Sequence, residues 1–353
     1  MSVACAAGRV IVQIDEDSPS QDSRVTDYLS RQSETGPFQS TEWRQVVTRA
    51  YGHRTYDLIA TRDGTLGGVL TLFLIRSPIF GRVLATAPYG SAGAICADDR
   101  DSKLALVERA MELSRELDVA WMELKSTTPT DHDALHTHSE FVDYRVPLTE
   151  PEIIWEKRFR NRARNMYRRA AEYGLRLEGG EHLFDTFYHI MALGMRRLGT
   201  PVHSRTFYRS ILDSFGAASD LVAVFWEDTP ISVMISVRRA DGYYPLYAAS
   251  LPQHWDKRPN NFMIWETIKR AWEQGASSFE LGRSPKDSGG AKFKETWAAE
   301  ASPLYYEYFL NKRRSLPRIH QDNPRYRMAR SVWQRLPLAL TTAIGPHLIK
   351  GVP

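Results

Sequence analysis

Cysteine is nearly absent from this 353-residue chain, which contains only Cys5 and Cys96. They form no CxxC pair and no disulfide framework, so a disulfide-stapled scaffold is excluded and a reducing compartment is expected. Long apolar runs are also missing. The longest, Leu336–Ile349, has 14 residues and is broken by Pro337, Pro346 and His347, too short to span a bilayer. Met1–Ile14 lacks a basic start followed by a long apolar core, so no signal peptide is expected. No HExxH, Walker or nucleophile-elbow motif occurs, and the chemistries that depend on them lose their support. His132, His136 and His138 lie near Asp131 and Asp133, but the Pro129 neighbourhood reads as a loop, and no metal is expected there.

What is present is ordinary for a globular protein: 42% hydrophobic and 25% charged residues. The length suits two domains, each with a core of useful size. The net charge of +4 hides a division. Residues 311–353 carry nine Lys/Arg against the single acid Asp322, which leaves residues 1–310 mildly acidic. A basic tail points to an anionic partner such as phosphate, RNA or a lipid surface; a plain solvated helix fits the same composition.

Periodicity supplies the organisation. Arg9–Ile14 reads as a strand, and Ser40 or Thr41 as the N-cap of a helix reaching Tyr51. Asp63-Gly64 is a hairpin signal between Tyr56–Thr61 and the apolar strand Leu66–Ile75. A helix capped by Asp98 or Asp99 runs to about Leu117, ahead of the buried strand Val119–Leu124. The same order returns later: a turn at Glu227–Pro230 between two strands, a third strand at Tyr243–Ala249, a helix over Asn260–Gln274 closed by Gly275, and a strand at Ser278–Leu281. Ala60–Leu72 aligns with Val224–Ser236, and Ala120–Lys125 with Ser277–Gly282, at offsets of 164 and 157 residues. Two matched offsets indicate a duplicated domain. One long helix, Glu150–Tyr173, is expected between the copies. The expected division is residues 1–149, residues 150–310, and a tail of residues 311–353. In that tail Leu310–Pro324 is a linker and Tyr326–Ile344 an amphipathic helix.

Three clusters could carry chemistry. KRFRNRARNMYRR, Lys157–Arg169, holds seven bases and no acid, and Arg160, Arg164 and Arg168 fall on one helical face. Guanidinium forks match phosphate oxygens in pairs, so the expectation is a diphosphate or RNA-backbone contact, against an exposed helix paired with acids elsewhere. Leu198-Gly199-Thr200-Pro201 is either a pocket wall or a plain turn, with Thr200 its polar residue. Phe279–Ser284 ends a buried strand with Glu280, Arg283 and Ser284, after which Ser288-Gly289-Gly290 opens a short helix expected to hold Lys294 on its first turn. Tyr247 and Asn261 could bond a substrate or simply satisfy a strand end and a helix cap.

The order RNRARNMYRRAAEYGL, MRRLGTP, LYAAS, a helix from Asn260-Asn261, and FELGRS…GGAKFKETW resembles the FemAB-like proteins, in particular the subgroup associated with PEP-CTERM/exosortase and exopolysaccharide loci. The resemblance spans about Arg9 to Leu310, and the tail from Pro324 is similar too. It implies an α/β fold of two tandem GNAT-like domains, with mixed sheets flanked by helices; the basic amphipathic helix comes after them. It also implies an N-acyltransferase acting on an amine acceptor of the envelope or an exopolysaccharide. Phe293-Lys294 stands where relatives carry a Phe-Lys pair whose lysine is implicated in catalysis. Lys294 is therefore expected to meet developing negative charge or a donor phosphate, and Glu280 to orient or deprotonate the amine. Arg283 and the Arg160, Arg164 and Arg168 face would hold phosphate.

No tightly bound cofactor is expected. The donor is either acyl-CoA or aminoacyl-tRNA, and transfer RNA is a candidate partner. The Arg/Gln-x-x-Gly-x-Gly/Ala loop that grips CoA pyrophosphate in ordinary acetyltransferases is missing; the nearest string, Arg62–Gly68, is a hairpin turn. The inserted coiled-coil arm of some staphylococcal-type relatives is missing too. The expected location is cytoplasmic, with peripheral contact through residues 324–346 to the inner face of an anionic membrane. The alternative is a non-catalytic module that binds an anionic glycan or RNA.

Overall fold

Runs of β-branched and aromatic residues, joined by tight turns at Asp63-Gly64 and Glu227-Asp228, build two separate sheets in the computed structural model. The structure describes residues 9–16, 23–32, 36–93, 95–315 and 324–353, without the side chains of 324–326. Its strands in chain order are β1 (Val10–Glu16), β2 (Arg54–Arg62), β3 (Thr65–Ser77), β4 (Gly81–Ala85), β5 (Ile95–Ala97), β6 (Trp121–Ser126), β7 (His136–His138), β8 (Phe141–Pro147), β9 (Arg176–Gly179), β10 (Ser219–Trp226), β11 (Thr229–Arg239), β12 (Gly242–Ser250), β13 (Ser278–Pro285), β14 (Glu300–Pro303) and β15 (Tyr305–Leu310).

One sheet has the order β1-β2-β3-β4-β6-β15-β7, with β5 also pairing β3; the other reads β9-β10-β11-β12-β13-β8-β14. The two orders correspond strand for strand. In each, one pair is parallel, β4 with β6 and β12 with β13, and a helix joins its members: Arg100–Glu116 in the first, Pro259–Glu273 in the second. A parallel pair requires such a crossover. Asp63 and Glu227 occupy matching turns with φ of 51° and 53°. The duplicated α/β architecture is therefore present.

The sixth strand of each sheet comes from an unexpected place. β15, late in the chain, pairs β6, whereas β8, before the second copy, pairs β13. Among the described residues, one unit comprises those up to 139 with 304–315 and 351–353, and the other comprises 140–303 with 324–350. The expected divisions after residues 149 and 310 each fall just beyond one of these strands. Ladder hydrogen bonds across more than a hundred residues decide such membership, and local patterning does not report them.

In the first unit, Tyr56, Leu58, Leu70 and Leu72 pack against Leu106, Val107 and Ala110 of the helix Arg100–Glu116. Asp99 caps that helix, accepting from Ser102 N at 2.8 Å. The opposite face of β2 carries Thr55 and Asp57, as its two-residue period dictates. Arg44, from the helix Thr41–Tyr51, donates to Thr55 Oγ1 at 3.1 Å and pairs with Asp57; Thr71 Oγ1 donates to Asp57 at 2.7 Å. This ion pair is buried and fully bonded, so removing one partner is costly.

In the second unit, Tyr243 and Phe279 lie in one cluster with Trp265, Ile268, Phe159 and Trp297. Phe159 overrides the long helix expected over Glu150–Tyr173. It is 3% exposed, its ring centroid 5.2 Å from that of Trp265 and 5.1 Å from that of Trp297. To bury it, the chain leaves helical geometry at Phe159 and Arg160, and Arg160 N bonds Thr296 O at 3.3 Å. A regular helix resumes at Asn161–Ala171, so Arg160 is its N-cap and not part of a continuous arginine face.

The tail also differs from expectation. The single helix over Tyr326–Ile344 is two, Pro324–Arg335 and Leu338–Ile349, because Pro337 has no N–H and disfavours helical geometry in the residue before it. Of the expected linker, 316–323 lie outside the described residues. Among the described residues, no helix is long and apolar enough to cross a membrane.

Candidate active site

β12 and β13 are parallel partners only at Gly242↔Ser278 and Tyr243↔Phe279, after which they part. The residues explain the fork. Pro245 has no N–H to continue a ladder. β12 has an extra residue against β11 next to Pro245, and β13 has an extra residue between Glu280 and Gly282 against β8. Such bulges twist strands and re-aim side chains. Gly282 adopts φ of 69°, a conformation that favours glycine.

The gap is a cavity of about 330 Å³ within the second unit. Its walls are mostly apolar: Met191, Met195 and Leu198 from the helix Phe184–Leu198, Met263 and Ile264 from the helix after β12, Pro245, Ala248 and Ala249 from β12, and Phe279, Leu281 and Phe293. Small residues hold it open; a side chain at Gly194 would come within 3.1 Å of Ala249 Cβ.

Three ionisable groups line this apolar space, Arg197, Glu280 and Lys294, and the last two lie on the β13 side. Glu280 is 5% exposed and ion-paired to Arg145 of β8, its register partner. Burial pushes its carboxyl up to about 7, against the opposing pull of Arg145 and with the help of nearby Asp143. Burial pulls Lys294 down to about 8; Asp143 resists the shift and Arg283 adds to it. Lys294 Nζ donates to Gly282 O at 2.7 Å and Arg283 O at 2.8 Å, the carbonyls beside the bulge, and lies 5.6 Å from the Tyr144 ring centroid. Asp143 is itself raised by burial, despite Lys294, Arg145 and Arg283 around it, and its buried Oδ1 accepts no hydrogen bond among the described residues.

Lys294 sits on the last turn of its helix, Gly289–Glu295, and not the first as expected. The helix start is occupied by its own N-cap, Ser288 Oγ accepting from Ala291 N at 3.1 Å. Lys294 therefore reaches back to β13.

The structure brings Lys294 and Glu280 to one cavity, with Arg283 and Ser284 next on the same strand. The Arg283 side chain turns onto the Phe141 ring, 4.9 Å from its centroid, and Ser284 is buried next to Gly290. Arg160, Arg164 and Arg168 do not border the cavity. Arg164 donates to the Glu156 carbonyl at 3.1 Å, and Arg168 lies over Trp155. Thr200, Tyr247 and Asn261 do not border it either; Tyr247 packs among His203, Phe207 and Tyr208, and Asn260, one residue earlier than expected, lines the wall. Sequence reasoning missed Asp143 and Arg145. The only signal was the alternation of FVDYRVP, which marks a strand without naming its partner.

Residues 157–295 match the acetyltransferase (GNAT) domain family. No curated protein sequence matches the chain. Among solved structures, the chain is similar to FemX at 14% identity and a TM-score of 0.66, over 85% of this chain and 98% of that one. It is similar to the C-terminal domain of a putative lysylphosphatidylglycerol synthetase from Agrobacterium fabrum at 15% identity and 0.58, over 83% and 93%. A tandem GNAT protein of the clavulanic acid biosynthesis pathway matches at 11% identity and 0.54, over 84% and 98%. These likenesses establish a tandem GNAT fold.

Proposed function

We propose, from the GNAT-domain match over residues 157–295 and the fold likeness to FemX, that this chain is a FemAB-like acyltransferase that transfers an acyl or aminoacyl group to an amine acceptor in cell-envelope or exopolysaccharide biosynthesis. The observation that carries the reading is the pair Glu280 and Lys294, titrating near about 7 and about 8, on the wall of one apolar cavity where β12 and β13 part. The exopolysaccharide setting rests on the resemblance to the PEP-CTERM-associated subgroup.

The acceptor nitrogen bonds to the acyl carbonyl carbon. Glu280 takes a proton from that nitrogen; its affinity near neutral pH suits a general base. The charge developing on the carbonyl oxygen is stabilised by the Lys294 ammonium, which two backbone carbonyls hold in place. On collapse the carbonyl carbon releases its thiolate, if the donor is acyl-CoA, or its ribose oxygen, if the donor is aminoacyl-tRNA, and the leaving group takes up a proton. The methionines and alanines of the wall seat the apolar part of the acyl group and exclude water. Arg283, Ser284 and the exposed Arg160 and Arg168 are the proposed contacts for donor phosphates, with Arg164 bracing the turn before its helix. Roles for Thr200, Tyr247 and Asn261 require a substrate that extends past the cavity wall.

The test is a mass-resolved screen of purified protein with acyl-CoA and aminoacyl-tRNA donors against candidate amines. A donor-dependent product that Glu280→Gln no longer forms is the expected result. If no donor yields a product while RNA or an anionic glycan binds with steep salt dependence, the transferase reading fails and the binding-module alternative replaces it.

A further inference from the structure

We infer that the two tail helices form a docking surface for an anionic lipid interface. The helix Leu338–Ile349 contains no Asp, Glu, Lys or Arg. A helix apolar all round is normally covered all round. Here Thr341, Gly345 and Ile349 are buried, and a side chain at Gly345 would come within 3.0 Å of Val202 O. On the neighbouring stripe Leu340, Ile344 and Leu348 remain 40%, 39% and 45% exposed. On the helix Pro324–Arg335, Met328 and Val332 form a second exposed ridge one turn apart, at 67% and 54%. Apolar exposure concentrated in this way marks an interaction site, unlike single scattered side chains.

The position is held firmly. Arg330 Nε donates to Leu198 O at 2.8 Å, Gln334 Nε2 to Arg197 O at 2.7 Å, and Arg196 to Leu336 O at 3.2 Å. The first two satisfy carbonyls at the end of the helix Phe184–Leu198, the third satisfies the Leu336 carbonyl of the tail, and together they fix the tail on the second unit, so the exposed ridges are not waiting to fold inward.

Charge selects the occupant. Residues 324–353 contain five Lys/Arg and no Asp or Glu. A second copy of the chain would bring like charges together around an apolar contact, which opposes association. An anionic bilayer surface satisfies both features at once: apolar side chains enter the acyl boundary while Arg327, Arg335 and Lys350 meet headgroup charge. Arg197 and Leu198 also border the cavity, so docking would bring the second unit's cleft close to the headgroups.

The experiment is sedimentation of the full chain with vesicles of phosphatidylcholine alone and of phosphatidylcholine mixed with phosphatidylglycerol. The expected result is binding to the anionic vesicles that falls as salt rises, and at least roughly tenfold weaker binding for Met328→Glu/Val332→Glu and for Leu340→Glu/Ile344→Glu. These positions are exposed, so the variants should keep the wild-type melting temperature. Binding of wild type that ignores lipid charge and salt, or no binding, overturns the inference without recourse to any variant. So does full retention in folded variants, or a dimer seen by light scattering that the same substitutions dissociate.

Discussion

In the first unit β4 and β6 pair through Val83↔Trp121, Leu84↔Met122 and Ala85↔Glu123, and the chain after β4 then stays with β6. Thr86 N donates to Glu123 O at 3.0 Å, Lys125 N to Thr86 Oγ1 at 2.9 Å, and Gly93 N to Lys125 O at 3.0 Å. The gap is sewn shut by its own loop. In the second unit the equivalent strands separate after two positions, Pro245 and two bulges intervene, and a cavity remains. The 157-residue offset places Glu123 opposite Glu280. Glu123 accepts from Tyr308 OH at 2.9 Å and lies 3.7 Å from Lys125, locked within a sealed sheet. Glu280 faces the cavity with Arg145 as partner. Two copies of one architecture have thus diverged into a braced scaffold and a candidate reaction chamber, and the divergence lies in the residues just past the parallel pair.

That contrast can be broken most forcefully at Glu280 and Lys294. Glu280→Gln and Lys294→Ala should each lower kcat by about 10²–10³-fold in a mass-resolved turnover assay, with melting temperatures changed far less. The pH profile should also trace a narrow bell. A base titrating at about 7 is active only above that pH, and an ammonium titrating at about 8 is lost above it, so kcat/KM should peak between them. Lys294→Arg should then remove the alkaline fall. Next in size, Arg44→Ala should cost the first unit about 3–5 kcal/mol by stranding buried Asp57, read as a lower denaturation midpoint.

A subtler intervention narrows the open fork. Ala248→Phe should raise KM about tenfold or more for large acyl donors while sparing small ones. Arg145→Gln removes the positive charge that lowers the Glu280 carboxyl, so the acidic limb of the kcat/KM profile should move to higher pH. The smallest effect sharpens the comparison from the other side. Glu123→Gln should cost about 1 kcal/mol and leave turnover per folded molecule unchanged.

Much of the frame was legible beforehand. Ser40 or Thr41, Asp98 or Asp99, and Gly275 read as caps because capping chemistry is local; Ser40 and Asp99 serve as caps, and Gly275 sits directly after one. The repeat was visible because each copy kept its turn and strand spacing. Lys294 and Glu280 stood out through motif and strand end. The cationic face of Arg160, Arg164 and Arg168 looked equally prominent, yet the burial of Phe159 breaks its helix and those arginines do not border the cavity. Charge density alone could not reveal that, because it carries no information about which neighbour a side chain will bury.

The sequence by itself determined many of the elements, with their caps, turns and duplication, since each depends on interactions within a few turns of chain. Only the tertiary structure decided which strand completes each sheet, which fork stays open, and that Arg145 meets Glu280 from 135 residues away. Strand partnership is a competition among distant edges, and proton affinity depends on how much water the completed fold removes. Both are properties of the packed whole, and no window of residues contains them.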